Sequence, residues 1–336
     1  MKRPIARRLG AAIAIVASTV LFTASPAPAT FSGQNGRIAF SLDKGNGAQI
    51  YTIRPDGTGR LQLTHVNGSA LRPDWSPDGR HIAFEMDHPS GSVHCSVEII
   101  DADGSNVRDL TGIPGGCDSA PAFTPNGRRI VFAHDCDSGC FGAIWSMNLR
   151  GEDRRFVWRD RGQYPGEPQV SPGGRRVLFL GDRDPADKIN GVEVSEKALY
   201  SVRMDGTHLE TVVPYDLDVC GCGGDWSPSG KRIAFSDNAG QDEFPQTKPT
   251  NVATIRPDGT GLRFVTHFES IQVYVSSGSY SPDGRWILFK TQRGDRYALW
   301  KIHPDGTHQT LIARFKFNPG TRDWGPRPTK RDTRPE

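Results

Sequence analysis

Residues 72–84, RPDWSPDGRHIAF, return in altered form along nearly the whole chain, and this recurrence restricts the fold more than any other feature. The variants read APAFTPNGRRIVF up to Phe132, EPQVSPGGRRVLF up to Phe179, GGDWSPSGKRIAF up to Phe235 and GSYSPDGRWILF up to Phe289. Each sets an aromatic or apolar residue before Ser/Thr-Pro and a glycine-containing turn, then a basic residue and an apolar run. Proline presets the turn and glycine tolerates its left-handed position, so the phrase spells strand, turn, strand.

A second phrase alternates with the first: QIYTIRPDGTGRLQLT from Gln49, and its relatives from Val97, Ala143, Ala198, Val252 and Ala298. Its turn glycines, Gly57, Gly104, Gly151, Gly206, Gly259 and Gly306, are spaced by 47, 47, 55, 53 and 47 residues. Four strands per unit at such a period is the pattern of propeller blades. With strands lettered a to d, the first phrase supplies a and b and the second c and d. GRIAF, residues 36–40, is a b strand without an a strand, and TRDWGP, residues 321–326, is an a strand without a b strand. The expected fold is therefore an all-β, six-bladed β-propeller of four-stranded antiparallel blades. Its ring is closed by pairing of the N- and C-terminal strands in one blade, which covers edges that would otherwise invite pairing.

Sheets covered on both faces accept continuous apolar b strands such as IAF, IVF, VLFL and ILF. Trp75, Phe123, Trp226, Tyr280 and Trp324, with Val170 as the odd member, are expected to pack between blades. WSPDGRHIAF, WSPSGKRIAF and YSPDGRWILF, each followed by an IRPDGT-like turn, resemble the WD-repeat-like propeller units of the TolB family and of the propeller domains of prolyl oligopeptidase relatives. The resemblance covers about residues 36–326. It implies a fold, and by analogy an interaction scaffold at the cell envelope.

Residues 1–29 read as a secretory signal peptide: Lys2, Arg3, Arg7 and Arg8, then an apolar stretch, then Ala27-Pro28-Ala29. The expected domains are this leader, a propeller over residues 30–326 and a disordered basic tail over residues 327–336. The 41 Lys and Arg against 38 Asp and Glu include four leader cations, so the mature chain is close to neutral. That balance offers no broad field for nucleic acid. The expected location is secreted, or periplasmic at the cell envelope, not membrane-embedded after cleavage, and the expected state is a monomer.

Short uniform turns occupy one face of such a disc, and the irregular b–c and d–a loops the other. The longest loops span residues 182–197 and 238–250, and function on a scaffold of uniform turns sits on such loops. All six cysteines fall there, an even number in an exported chain. The favoured pairs are Cys95 with Cys117 and Cys136 with Cys140; Cys220 and Cys222 stand too close in sequence for an unstrained bridge, and spacing alone leaves fifteen arrangements open.

Two candidate sites emerge. His88, His94 and His134 near Asp135 and Asp137 are either a divalent metal site, since imidazole with carboxylate suits zinc, manganese or iron, or solvated loop residues. Asp74, Asp225 and Asp323, each just before the a-strand aromatic, either face the channel to hold water or a cation or accept hydrogen bonds from backbone amides. The chain contains no nucleophile elbow, P-loop, dinucleotide fingerprint or H-E-x-x-H. The leading expectation is a non-catalytic scaffold, without a cofactor, that binds an envelope or extracellular protein or a cell-wall component through its loop-rich face. The alternative is a secreted metal-dependent hydrolase or lyase acting on a sugar or lactone.

Overall fold

The computed structural model describes residues 33–89, 94–112, 116–136, 142–159, 165–182, 188–189, 192–193, 197–217, 219–237 and 248–328. The expected leader and all but the first two residues of the expected tail lie outside these, as do Asp137, Cys140 and much of the two long loops. The side chains of Cys136, Cys220 and Cys222 are likewise outside the description.

The chain is an all-β propeller. Its four-stranded sheets are antiparallel meanders in which a, b, c and d follow in order. In the fourth repeat they are Gly166–Val170, Arg176–Asp182, Lys197–Arg203 and Glu210–Val213. The fifth runs Val219–Trp226, Ile233–Asp237, Val252–Ile255 and Arg263–Phe264, and the sixth Tyr274–Tyr280, Ile287–Arg293, Arg296–Ile302 and Thr310–Phe315. A fourth such sheet orders Pro319–Pro326, Asn35–Asp43, Ala48–Ile53 and Leu61–Gln62, so strands from the two ends of the described chain are neighbours. Their register matches Ile38 with Trp324 and Ala39 with Asp323.

The second and third repeats form one eight-stranded sheet. Their meanders, beginning at Ser69–Trp75 and Gly116–Phe123, are joined by a parallel bridge between Cys95 and Cys117. These two cysteines form a disulfide with Cα atoms 4.4 Å apart.

The b strands carry the core. Ile38-Ala39-Phe40, Ile82-Ala83-Phe84, Ile130-Val131-Phe132 and their counterparts in the other three repeats are fully buried, which explains their lack of polar alternation. Six apolar clusters lie between sheets. Five join consecutive repeats, with Trp75, Phe123, Val170, Trp226 and Tyr280 each in one of them. The sixth packs Leu288 and Leu299 against Ile38, Phe40 and Trp324.

The repeated turn explains itself locally. Ser76 N donates to the His81 carbonyl at 2.9 Å, Gly79 N returns to the Ser76 carbonyl at 2.9 Å, and Gly79 has φ of 67°. The basic residue that follows is a strut. Arg37, Arg129, Arg176 and Arg232 reach from the start of strand b to a strand c hydroxyl, on Thr52, Ser146, Ser201 and Thr254 at 2.8, 3.3, 3.1 and 2.9 Å. Each also donates to a backbone carbonyl of that strand. No helix among the described residues is long and apolar enough to cross a membrane.

Candidate functional site: the polar channel

The innermost a strands do not run regularly. Pairing with strand b shifts register between Leu71 and Asp74, between Ser119 and Ala122, and between Gly166 and Gln169. At these bulges Arg72, Ala120 and Glu167 take φ of 48°, 47° and 47°. Each is followed by a proline, which suits a bulge because no ladder bond is asked of its nitrogen. A left-handed conformation at three non-glycine residues costs on the order of 1–3 kcal/mol each. The outcome is that side chains from different repeats converge on the axis.

Two layers result. In the deeper one, each acid accepts a backbone N–H from the repeat that follows it around the ring. Phe123 N donates to Asp74 Oδ2 at 2.8 Å, Tyr280 N to Asp225 Oδ2 at 2.7 Å and Trp75 N to Asp323 Oδ2 at 2.8 Å. Ser279 serves the same purpose, accepting from Trp324 N at 2.7 Å. Burial raises all three carboxyls above the ordinary range. Asp225 is pushed up to about 8, by burial first and then by the charge of Asp323. Asp74 rises for the same two reasons and Asp323 through burial. Through these amide hydrogen bonds the three acids stitch consecutive sheets together around the axis.

The outer layer is built from ions. Arg72 Nη1 lies 2.8 Å from both Glu85 oxygens, while its Nε reaches Glu167 Oε1 at 2.5 Å. Glu85 Oε2 also accepts from Ala120 N at 3.1 Å. The guanidinium thus ties the second repeat to the fourth, and Glu85 ties in the third. The carboxylate of Glu167, and then that of Glu85, holds the Arg72 proton more firmly than usual. Burial nevertheless lifts Glu85. Across the mouth, Arg322 Nη2 donates to the Ser276 carbonyl and hydroxyl at 2.5 and 2.8 Å, and Lys290 Nζ to Asn318 Oδ1 at 2.7 Å. Burial and the neighbouring Arg322 lower Lys290 to about 7. Between the layers lies a cavity of about 60 Å³ bordered by Arg72, Asp74, Glu167, Asp225, Arg322 and Asp323, room for a few waters.

The histidine candidates have partners of other kinds. His88 Nε2 contacts Ser96 Oγ at 3.0 Å, and the His94 carbonyl accepts from His88 N. His134 Nδ1 pairs with Asp118 Oδ1 at 2.6 Å, and Asp118 also faces Arg154 at 3.7 Å. That hydrogen bond raises the His134 pKa. Asp135 is exposed. Among the described residues no group of three or more His, Cys, Asp or Glu is placed to hold a metal ion.

Asp118 escaped the sequence reading, and so did the Arg72, Glu85 and Glu167 network. A signal existed for part of it. Arg72 and Glu167 occupy the same place in the organising phrase, two residues before the channel position, with opposite charge. For Glu85, lodged in a b strand, the phrase carries no such signal.

Antiparallel meanders around a polar channel define the chain as a β-propeller. It belongs to the TolB beta propeller domain family, whose model matches residues 11–198 and 104–327. An uncharacterized protein of Agrobacterium fabrum is 24% identical over 252 residues, 72% of each chain. The Tol-Pal system protein TolB of Bordetella pertussis is 30% identical over 159 residues, 35% of this chain and 36% of that one. The chain thus matches about a third of that TolB. The crystal structure of TolB from Acinetobacter baumannii superposes with a TM-score of 0.67 at 18% identity, over 87% of this chain and 67% of the other.

Proposed function

We propose that this protein is an exported, non-catalytic propeller that binds a protein or another component of the cell envelope through its loop-rich face. The observation that carries the reading is the charged mouth of the channel. There Arg72, with 37% of its side chain exposed, is fixed between Glu85 and Glu167. A rigid, hydrogen-bonding floor beneath irregular loops suits a polar polypeptide surface better than an apolar small molecule. The leader over residues 1–29 supports export, and membership of the TolB propeller family supports a binding role by analogy of fold.

On this reading the eight-stranded sheet counts as two blades, making six. The pairing of Asn35–Asp43 with Pro319–Pro326 closes the ring, and the propeller spans residues 30–326.

The test is capture of an envelope protein by the mature chain, identified by mass spectrometry after crosslinking. Exposed Lys44 lies in a loop-face connection, exposed Arg296 at the loop-face start of its strand c, and exposed Lys231 in a turn on the opposite face. Lys44→Glu with Arg296→Glu should remove the captured protein, and Lys231→Glu should leave it. Stoichiometric transition metal in the purified protein, with turnover of a sugar or lactone lost in His134→Ala, would overturn the scaffold reading in favour of a metal-dependent hydrolase or lyase.

A further inference from the structure

We propose that a cavity on the turn face, at the seam where strands Pro319–Pro326 and Asn35–Asp43 meet, binds a small amphipathic anion: an apolar, preferably aromatic body carrying one acidic group. In the second through sixth repeats a Ser/Thr-Pro-x-Gly turn joins strand a to strand b and fills this position. Where those turns close, the proline of one repeat covers the turn glycine of the next, as Pro77 covers Gly127 and Pro228 covers Gly284. At the seam no such turn joins the two strands among the described residues. The described chain leaves through Arg327 and Pro328 on one side and enters through Asn35 and Gly36 on the other. The space left over is a cavity of about 280 Å³, far larger than that in the channel. Its size falls just below the ~300 Å³ at which pockets for drug-sized ligands begin, so the ligand is small.

The walls state what kind of ligand fits. Trp75, Pro55, Ala102, Pro326 and Pro328 make them mainly apolar. Gly325 lies flat against the Trp75 indole, because a Cβ there would stand 2.3 Å from Trp75 Cγ. One side of that ring is therefore sealed, and the indole is held as a rigid wall.

Three guanidiniums, Arg37, Arg54 and Arg327, also border the cavity. Arg37 spends its donors on Thr52 and on the Gly59 carbonyl. Burial, and then the charge of Arg54, lower its pKa. Arg54 is exposed and makes one long bond, Nη1 to Thr58 Oγ1 at 3.4 Å. Among the described residues Arg327 Nε donates to the Asn35 carbonyl, at 3.3 Å. Nearby Asp56 accepts from the amide and hydroxyl of Thr58, at 2.9 and 2.7 Å, and its charge also feels Arg54. Arg54 and Arg327 thus stand at an apolar opening with donors to give, and Arg37 adds field behind them. A carboxylate or sulfonate on an aromatic body satisfies both halves of the site.

The probe is 1-naphthoate, titrated by calorimetry into the full mature chain, with neutral 1-naphthalenemethanol for comparison. Naphthoate should bind once per chain, with affinity falling as salt rises, and the alcohol several-fold more weakly. Arg54→Gln should weaken naphthoate by about tenfold and leave the thermal unfolding midpoint in place, while Arg54→Lys should keep much of the affinity. Ala102→Leu, which fills the cavity, should abolish binding. Absence of saturable binding at millimolar naphthoate, or equal affinity in the parent, Arg54→Gln and Ala102→Leu proteins, would overturn the site. The proposed partner-binding face is on the other side of the disc, so its failure and this one are separable.

Discussion

Two sets of acids line one channel, and they are held in opposite ways. At the mouth Glu85 and Glu167 are paired with one guanidinium, in a network that spans three repeats. Inside, Asp74, Asp225 and Asp323 have backbone amides and one another. The first arrangement is an ion network, vulnerable to loss of any one charge. The second works with neutral or partly neutral carboxyls, because an amide N–H compensates only part of the cost of burying a charge. A single strand supplies both kinds within three residues, Arg72 and Asp74. The contrast comes from what each side chain meets across the axis, and it predicts that the mouth answers to truncation and the interior to pH.

The sharpest break is Glu85→Ala. It removes the bidentate partner of Arg72 and leaves the Ala120 amide without its acceptor, inside a site where Glu85 is only 6% exposed. Breaking a buried pair costs ~3–5 kcal/mol; because Arg72 is partly exposed, about 3 kcal/mol is expected here. Urea unfolding measures it, and a loss under 1 kcal/mol would mean that the network does not brace the repeats. Asp323→Ala should cost somewhat less, about 2 kcal/mol, through the orphaned Trp75 amide. Asp323→Asn retains an acceptor oxygen and should recover most of that loss. If Asn and Ala are equally destabilised, the carboxyl acts by charge rather than by accepting the amide, and the contrast between the two layers fails.

The all-β propeller was legible because its signals are local and repeated: Ser-Pro before a turn glycine, three apolar residues after a basic one, and a period near 47 residues. Repetition also located the channel position, since Asp74, Asp225 and Asp323 share one place in the phrase. The Arg72 network was hidden because its partners come from strands 95 residues apart and are brought together by bulges at left-handed residues. No neighbour-by-neighbour pattern encodes such a meeting. The His134 pairing was partly hidden for a related reason. His134 and Asp118 face each other across strands a and b of the third repeat, while Asp135, its neighbour in sequence, is exposed. The basic struts Arg37, Arg129, Arg176 and Arg232 were visible as a repeated letter, yet their targets appear only once strand c is laid beside strand b.

The interior carboxyls give an effect of another kind, spread over several pH units. Asp225 has a folded pKa of about 8, well above the ~3.9 of an unfolded aspartate. Between these values the folded chain binds the extra proton, so the contribution of Asp225 to stability is complete below about pH 4. It is lost progressively as the pH rises through about 8, and then levels off. Asp225→Asn keeps an oxygen for the Tyr280 amide and removes the titration. Relative to the parent, the variant should gain about 3–4 kcal/mol between pH 5 and pH 8, seen as a melting transition several degrees higher at the upper pH. Glu85→Gln, at the mouth, supplies the control, since its loss is dominated by the broken pair with Arg72. A stability difference between Asp225→Asn and parent that is the same at pH 5 and pH 8 would show that the inner acids are charged throughout. The two layers would then be one ion network and not two.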